Sequence, residues 1–184
     1  EIDLLEGRGN RDLYNEADRH MGTNHVASTM HFGPAWNLNG YEFANFGYSS
    51  QNTSFADDFH VYRLGWTNET IQFSVDNIIL GSINATADGG FWNRGRFDER
   101  SPNRDNPWKR GTVMAPFDQE FYIIMNLAVG GVNGYFSDTH TDAIGTVTKP
   151  WKNGSPTAFR DFWEAKNQWY PSWKLDTDSS HLQV

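Results

Sequence analysis

The 184-residue sequence contains no cysteine, so disulfide bonding gives no indication of its cellular compartment. It also lacks any apolar run approaching the roughly 20 residues that a membrane-spanning helix requires. Positive charge is scarce as well, because 15 Lys and Arg residues against 23 Asp and Glu residues give a net charge of -8. A surface of that sign repels phosphate backbones and anionic lipids, so we expect neither a nucleic acid nor a membrane partner.

Aromatic residues, by contrast, are abundant. They make up 15% of the chain, with 8 Trp and 13 Phe. A hydrophobic core alone rarely needs that many tryptophans, whereas carbohydrate sites use the flat indole to cover the apolar face of a sugar ring. A neutral polysaccharide is also not repelled by an acidic surface. About half of the tryptophans are expected to pack in a β-rich core.

Four Asn-x-Ser/Thr triplets occur where about one is expected by chance, which favours a secreted glycoprotein. Their acceptor residues are Asn52, Asn68, Asn84 and Asn153.

The apolar pattern predicts an all-β domain, since short alternating runs are separated by Gly, Asn, Asp and Pro. Strands are predicted at Ile2–Glu6, Val26–Phe32, Phe59–Trp66, Thr70–Val75, Ile78–Ile83, Phe121–Ala128 and Leu182–Val184. Asp76 and Asn77 fit a two-residue hairpin turn. The pattern is typical of a jelly-roll sandwich of two antiparallel sheets with a concave cleft.

Two long polar connections, Arg8–Asn24 and Gly89–Gly111, interrupt the strands, and loops of that length are usually functional or mobile. One helix is predicted at Thr157–Asn167, where Ser155 and Pro156 introduce it. No repeat or low-complexity linker divides the chain.

The first six residues alternate acids and aliphatics with one step out of phase. In a regular strand Glu1, Asp3 and Leu5 would share a face, yet the third acid is Glu6. One extra residue in a β-bulge, Leu4 or Leu5, would bring all three acids to one side and the aliphatic residues to the core.

Such a strand could be a solvated acidic edge, although edges are normally protected by lysine. The alternative is glycoside hydrolysis, because a retaining hydrolase needs two carboxyl groups about 5–5.5 Å apart, one as nucleophile and one as acid/base. Asp3, between Glu1 and Glu6, could share a proton with the nucleophile and hold it in place.

Motifs along nearly the whole chain resemble glycoside hydrolase family 16 in its laminarinase-type form. The bulged strand matches E-I-D-x-x-E, and the other matching stretches are Ser28–Gly33, Phe59–Trp66, Phe73–Asp76, Ala115–Gln119, Met125–Gly131, Lys149–Trp151 and Asp161–Trp163. They are similar to the invertebrate branch, which includes β-1,3-glucanases of molluscs and sea urchins and the glucan-recognition proteins of insects and crustaceans.

The resemblance implies residue roles. Glu1 would be the nucleophile, Glu6 the acid/base and Asp3 its helper. Substrate contacts would come from His31, Asn126, Trp36 and Trp108. Each of these four also has a purely structural interpretation, since strand histidines and indoles commonly serve packing.

The resemblance further implies a monomeric, secreted protein without a required cofactor. Residues 1–184 would form a single domain that lacks an N-terminal portion and its last strand. Many relatives carry a structural calcium ion, which a full-length domain could bind, but this sequence suggests no metal ligand.

Two functions follow. The first is retaining endo-hydrolysis of β-1,3-glucan, that is, a laminarinase. The second is non-catalytic recognition of microbial β-1,3-glucan in innate immunity, where many proteins have lost one or both glutamates. Retention of Glu1, Asp3 and Glu6 favours the enzyme. A lectin with a similar sandwich would explain neither the three acids nor the bulge.

Overall fold

The computed structural model describes residues 1–147 and 149–173. The chain forms two compact units. The first unit contains residues 1–11 and 20–121, and the second contains residues 12–19, 122–147 and 149–173.

Two antiparallel three-stranded sheets build the first unit, which confirms the predicted jelly-roll class. The first sheet has the order β1-β2-β3, with β1 at Ile2–Gly7, β2 at His25–Met30 and β3 at Asn45–Ser49. The second has the order β4-β5-β6, with β4 at Tyr62–Trp66, β5 at Thr70–Val75 and β6 at Ile78–Asn84. Consecutive strands pair throughout, so each sheet is a simple meander.

The alternation of β5 places its apolar residues in the core. Ile71, Phe73 and Val75 are fully buried, while Gln72 between them is exposed. The two sheets meet where the Phe46 ring of β3 packs against Phe73, with ring centroids 5.9 Å apart. Burial of this face provides the main driving force for packing the sheets together.

Gly81 of β6 is required by that packing. A Cβ atom at this position would lie 2.1 Å from the Phe46 ring, so any side chain would push the sheets apart. The β5–β6 hairpin turns at Asp76 and Asn77 as predicted, with Asp76 at φ 50° and Val75 paired with Ile78.

The polar connection Gly89–Gly111 is more ordered than predicted. It follows helix α1 (Ala85–Asp88) and contains two single-turn helices, α2 at Phe91–Arg94 and α3 at Phe97–Arg100. Phe91 and Phe97 are buried in the same core as Phe73, and the burial of these two large aromatic side chains anchors the connection.

Strand β3 was not predicted. Its sequence, Asn-Phe-Gly-Tyr-Ser, contains two residues that disfavour strands, and the strand forms through pairing with β2. Tertiary pairing therefore overrides local propensity here.

The second unit contains the predicted helix, which is divided into α4 at Ala158–Glu164 and α5 at Lys166–Trp169, with a short 3-10 turn at Tyr170–Ser172. The predicted strand Phe121–Ala128 is wrong, because residues 121–130 are exposed and irregular. A strand needs a hydrogen-bonding neighbour, and no strand in the described residues pairs with this segment. The predicted strand Leu182–Val184 lies outside the described residues.

A buried lysine organises this second unit. The Lys149 side chain is only 6% exposed and forms an ion pair with Asp138. Its Nζ also donates to the Phe136 carbonyl oxygen and to Asn153 Oδ1, so the buried charge is fully coordinated.

Within the described residues, no helix combines the length and apolarity needed to cross a bilayer.

We expect Phe73→Ala to lower the free energy of unfolding by about 3–5 kcal/mol, because it removes the aromatic contact between the two sheets. Urea denaturation followed by tryptophan fluorescence measures this change. Gln72→Ala on the same strand, at an exposed position, is the matched control and should stay within about 0.5 kcal/mol of the wild type. Equal effects of the two substitutions would contradict this assignment of the core.

Candidate active site

A bulge in β1 creates the site. Asp3 pairs with Thr29 and Glu6 with Ala27, so two residues of β1 stand opposite one residue of β2. The Ser28 hydroxyl donates to the Leu4 carbonyl oxygen at 2.8 Å, which satisfies an acceptor that the ladder leaves without a regular partner. The predicted bulge at Leu4 or Leu5 therefore matches the observed register.

The expectation that all aliphatic residues of β1 face the core is wrong for one of them. Ile2 and Leu4 pack against the core, but Leu5 is 44% exposed. The bulge breaks the two-residue alternation, and with two bulged residues facing one partner, one aliphatic side chain is left outside.

The three carboxyl groups lie within electrostatic reach of one another. Asp3 is hydrogen-bonded to the Glu1 side chain and lies within electrostatic reach of Glu6. The pKa of Asp3 is raised to about 6, first because burial disfavours its charge and then because the charges of Glu1 and Glu6 repel it. His31 acts in the opposite direction. Between about pH 4 and about pH 6, Asp3 thus keeps a proton that an isolated aspartate would lose.

Glu6 is held by a chain of donors from the neighbouring strands. The buried Thr29 hydroxyl donates to Glu6 Oε2 at 2.8 Å. Because that hydroxyl hydrogen is used, Thr29 Oγ1 can only accept from its other partner, Asn45 Nδ2, also at 2.8 Å. Strands β2 and β3 therefore orient the Glu6 carboxylate.

His31 extends the pairing of β1 and β2 by one step. Its backbone N–H donates to the Glu1 carbonyl oxygen at 3.0 Å, and the Glu1 nitrogen donates to the His31 carbonyl oxygen at 3.1 Å. The side chain lies on the acid side, where Nε2 is 3.3 Å from Asp3 Oδ2. On its other edge, Nδ1 meets Asn39 Nδ2 at 2.7 Å. The histidine thus connects the carboxylate cluster to the loop after β2.

An open depression of about 440 Å³ lies beside Glu1 and His31. Trp36 borders it and is 94% exposed, although exposure of an indole is unfavourable in water. Trp108 borders it too, but packs against the buried core next to Phe32. Of the two tryptophans predicted as sugar platforms, Trp36 therefore has a ring face exposed to solvent, whereas Trp108 also packs against the core.

Asn126, the remaining predicted substrate contact, belongs to the second unit and is exposed. Its predicted position on the cleft floor stays a prediction.

Three residues that hold the site were missed by sequence reasoning, namely Thr29, Asn39 and Asn45. Thr29 lies within a recognised motif, and its two-residue offset from His31 could have indicated the same strand face. Asn39 and Asn45 lie in a stretch rich in Asn and Gly that looks like an ordinary loop. Among residues 1–147 and 149–173, no group of three or more His, Asp or Glu side chains is arranged to hold a metal ion.

We expect Asp3→Asn to change how stability depends on pH. The pKa of Asp3 is about 6 in the folded chain against 3.8 for the ordinary group, so the folded state binds the proton more tightly between these values. The wild-type free energy of unfolding therefore falls as pH rises through this window. Asparagine cannot ionise, so the variant should gain stability relative to the wild type between about pH 4 and about pH 7.

Urea denaturation at both pH values measures the effect, with Asp105→Asn, whose side chain is 96% exposed, as control. A difference between Asp3→Asn and the wild type that is independent of pH would show that Asp3 does not hold the proton.

Comparison with known proteins identifies relatives. The chain is 47% identical over 180 residues to a β-1,3-glucan-binding protein of Penaeus monodon, an alignment that covers 97% of this chain and 44% of the relative. It is 34% identical over 142 residues to β-1,3-glucan-binding protein 1 of Manduca sexta, with 77% of this chain and 27% of the relative aligned.

A bacterial relative is glucan endo-1,3-beta-glucosidase A1 of Niallia circulans, which is 34% identical over 131 residues and aligns with 71% of this chain and 15% of its own length. This chain spans less than half the length of these three relatives. No protein-family model matches the chain, and no solved structure matches it. The chain is thus a homologue of the invertebrate β-1,3-glucan-binding proteins, and the same homology extends to a bacterial glucan endo-1,3-β-glucosidase.

Proposed function

We propose that the protein binds β-1,3-glucan in the depression lined by Glu1, His31 and Trp36. The observation that carries this proposal is the nearly complete exposure of the Trp36 indole beside polar side chains. Sugar recognition needs this combination, an apolar plane for the C–H face of the ring and hydrogen-bonding groups for its hydroxyls. The names of the relatives from Penaeus monodon and Manduca sexta support the same ligand.

The acidity of the site suits a neutral polymer. Carboxylates accept hydrogen bonds from sugar hydroxyls, whereas a charged acidic polysaccharide would be repelled by Glu1, Asp3 and Glu6. Discrimination between neutral and anionic glycans is therefore part of the proposal.

We also propose that the protein is secreted, because glucan of microbial origin is located outside the cell. Asn52 and Asn68 are exposed and offer accessible glycosylation sites. Asn153 is less suitable, since its side chain already bonds to Lys149 and to the Phe136 carbonyl oxygen.

Trp36→Ala should weaken laminarin binding by at least about tenfold, since the indole loses its contact with the sugar, an effect of about 1.4 kcal/mol. Isothermal titration calorimetry with soluble laminarin measures the affinity of the full chain. Phe59→Ala is the control, because Phe59 is also exposed, at 72%, but does not line the depression. Unchanged affinity in Trp36→Ala would place glucan binding elsewhere.

Hydrolysis is a second candidate function, and the arrangement of the three acids favours it. A purely binding surface does not need three carboxyl groups gathered so closely that the pKa of one, Asp3, is raised to about 6. Retaining hydrolysis uses such a cluster, because the nucleophile must be oriented while a second carboxyl group delivers a proton to the leaving oxygen. The relative from Niallia circulans, named as a glucan endo-1,3-β-glucosidase, supports this candidate.

In this mechanism Glu1 attacks the anomeric carbon and forms a glycosyl ester, while Glu6 protonates the leaving oxygen. Glu6 then removes a proton from water, whose oxygen attacks the anomeric carbon and displaces the Glu1 carboxylate. Asp3 donates its shared proton to Glu1 and so orients the free lone pair of the nucleophile. Thr29 keeps Glu6 directed through its hydroxyl.

Glu1→Gln should abolish the release of reducing ends from laminarin, with a loss of about three or more powers of ten, because the amide cannot form the glycosyl ester. The same variant should still bind laminarin, since its fold and Trp36 are retained. A reducing-end assay and calorimetry on one preparation separate the two functions. If the wild type binds laminarin and releases no reducing ends, the protein recognises glucan without cutting it.

A further inference from the structure

Asn39, in the loop after β2, is bound at three of its polar atoms. Its Oδ1 accepts from the Tyr41 backbone N–H at 3.0 Å, and its Nδ2 meets His31 Nδ1 at 2.7 Å. Its carbonyl oxygen accepts from Arg100 at 3.0 Å. One residue of the loop thus contacts the site histidine, the backbone of Tyr41 and Arg100 of α3.

The Tyr41 contact decides which way the Asn39 amide points. A backbone N–H can only donate, so the atom of Asn39 that faces Tyr41 must be the oxygen. The amide nitrogen is therefore the atom that faces His31. The orientation follows from the chemistry of a main-chain group and needs no assumption about the histidine.

The amide orientation in turn decides which ring nitrogen of His31 carries the proton. An amide NH2 only donates, so His31 Nδ1 must accept and carries no proton in the neutral ring. The other neutral tautomer would set two N–H donors against each other across 2.7 Å. We propose that Asn39 is a positioning residue that fixes His31 in the tautomer with its proton on Nε2, the nitrogen that faces Asp3.

The consequence is a series of donors that runs in one direction. Asn39 donates to His31, and His31 presents Nε2–H to Asp3 Oδ2 at 3.3 Å. Asp3 is then free to direct its own shared proton to Glu1. With the other tautomer, Nε2 would be an acceptor and would compete with Glu1 for the proton of Asp3. The effect on hydrolysis rests on the proposed function, whereas the tautomer itself does not.

The surroundings hold this arrangement in place. Tyr41 stacks on the His31 ring, with centroids 5.5 Å apart and an interplanar angle of 28°. Arg100, which binds the Asn39 carbonyl oxygen, also pairs with Glu42 at 3.3 Å. Ring plane, amide and backbone are therefore each fixed by a different contact, as a group that orients a catalytic residue requires.

Nitrogen NMR of the imidazole rings tests the proposal directly. The full chain is labelled with 15N-histidine, and long-range proton–nitrogen spectra are recorded at alkaline pH, where the ring is neutral. His31 is assigned by the signal that disappears in His31→Gln. We expect a protonated Nε2 and an unprotonated Nδ1 for His31. His60, whose Nδ1 lies 2.9 Å from Asp76 Oδ2, should show the opposite tautomer in the same spectrum.

Asn39→Asp is the decisive variant. It keeps an oxygen for the Tyr41 N–H, so the loop retains its turn, but it replaces the NH2 donor with an acceptor. Because Asp3 still faces Nε2, a proton should appear on His31 Nδ1, either beside the one on Nε2 or in its place. Asn37→Asp adds the same charge at an exposed position of the same loop and should leave the His31 spectrum unchanged. A wild-type ring protonated at Nδ1, or an unchanged ring in Asn39→Asp, would overturn the proposal.

Kinetics provide the second readout. If the wild type hydrolyses laminarin, Asn39→Asp should lower kcat by about ten- to a hundredfold with little change in KM, because the oriented donor to the cluster is lost. Asn37→Asp should not. If the wild type does not hydrolyse laminarin, the proposed hydrolysis fails, and the NMR result still decides whether Asn39 sets the tautomer.

Discussion

The bulge between Asp3 and Glu6 is the constraint on which the site depends. A regular strand would alternate its side chains, and Glu6 would then lie on the face opposite Asp3. One extra residue against β2 returns Glu6 to the acid face. The Ser28 hydroxyl satisfies the carbonyl oxygen of Leu4 within this irregularity, so the bulge is stabilised by a buried side chain of the partner strand.

Gathering three acids costs stability, and the neighbouring strands offset part of that cost. Thr29 donates to Glu6, and His31 faces Asp3. Asn45 of β3 in turn orients Thr29, and Asn39, in the loop after β2, orients His31. Burial and the charges of Glu1 and Glu6 raise the pKa of Asp3 to about 6, so that below this pH a proton on Asp3 reduces the repulsion further. Functional sites commonly store such unfavourable energy in an otherwise well-packed fold.

The loop that carries Trp36 and Asn39 is anchored by arginines of the helical connection. Arg94 donates to the Phe43 carbonyl oxygen, Arg100 to that of Asn39 and Arg104 to that of Pro34. The connection itself is anchored in the core through Phe91 and Phe97. An exposed tryptophan and a positioned asparagine are thus held by a segment that composition alone describes as a polar loop.

The sequence by itself determined the class of the fold, the hairpin at Asp76 and the bulge with its three acids, because these depend on alternation and turn chemistry within a few residues. Only the tertiary structure decided that β3 forms, that residues 121–130 remain irregular and that Leu5 stays exposed. It also decided that Asn39 and Asn45 serve the site. Each of these outcomes depends on partners distant in sequence. Whether a strand forms, an aromatic side chain is buried or an amide is oriented depends on the group that it contacts, and the local sequence pattern does not specify that group.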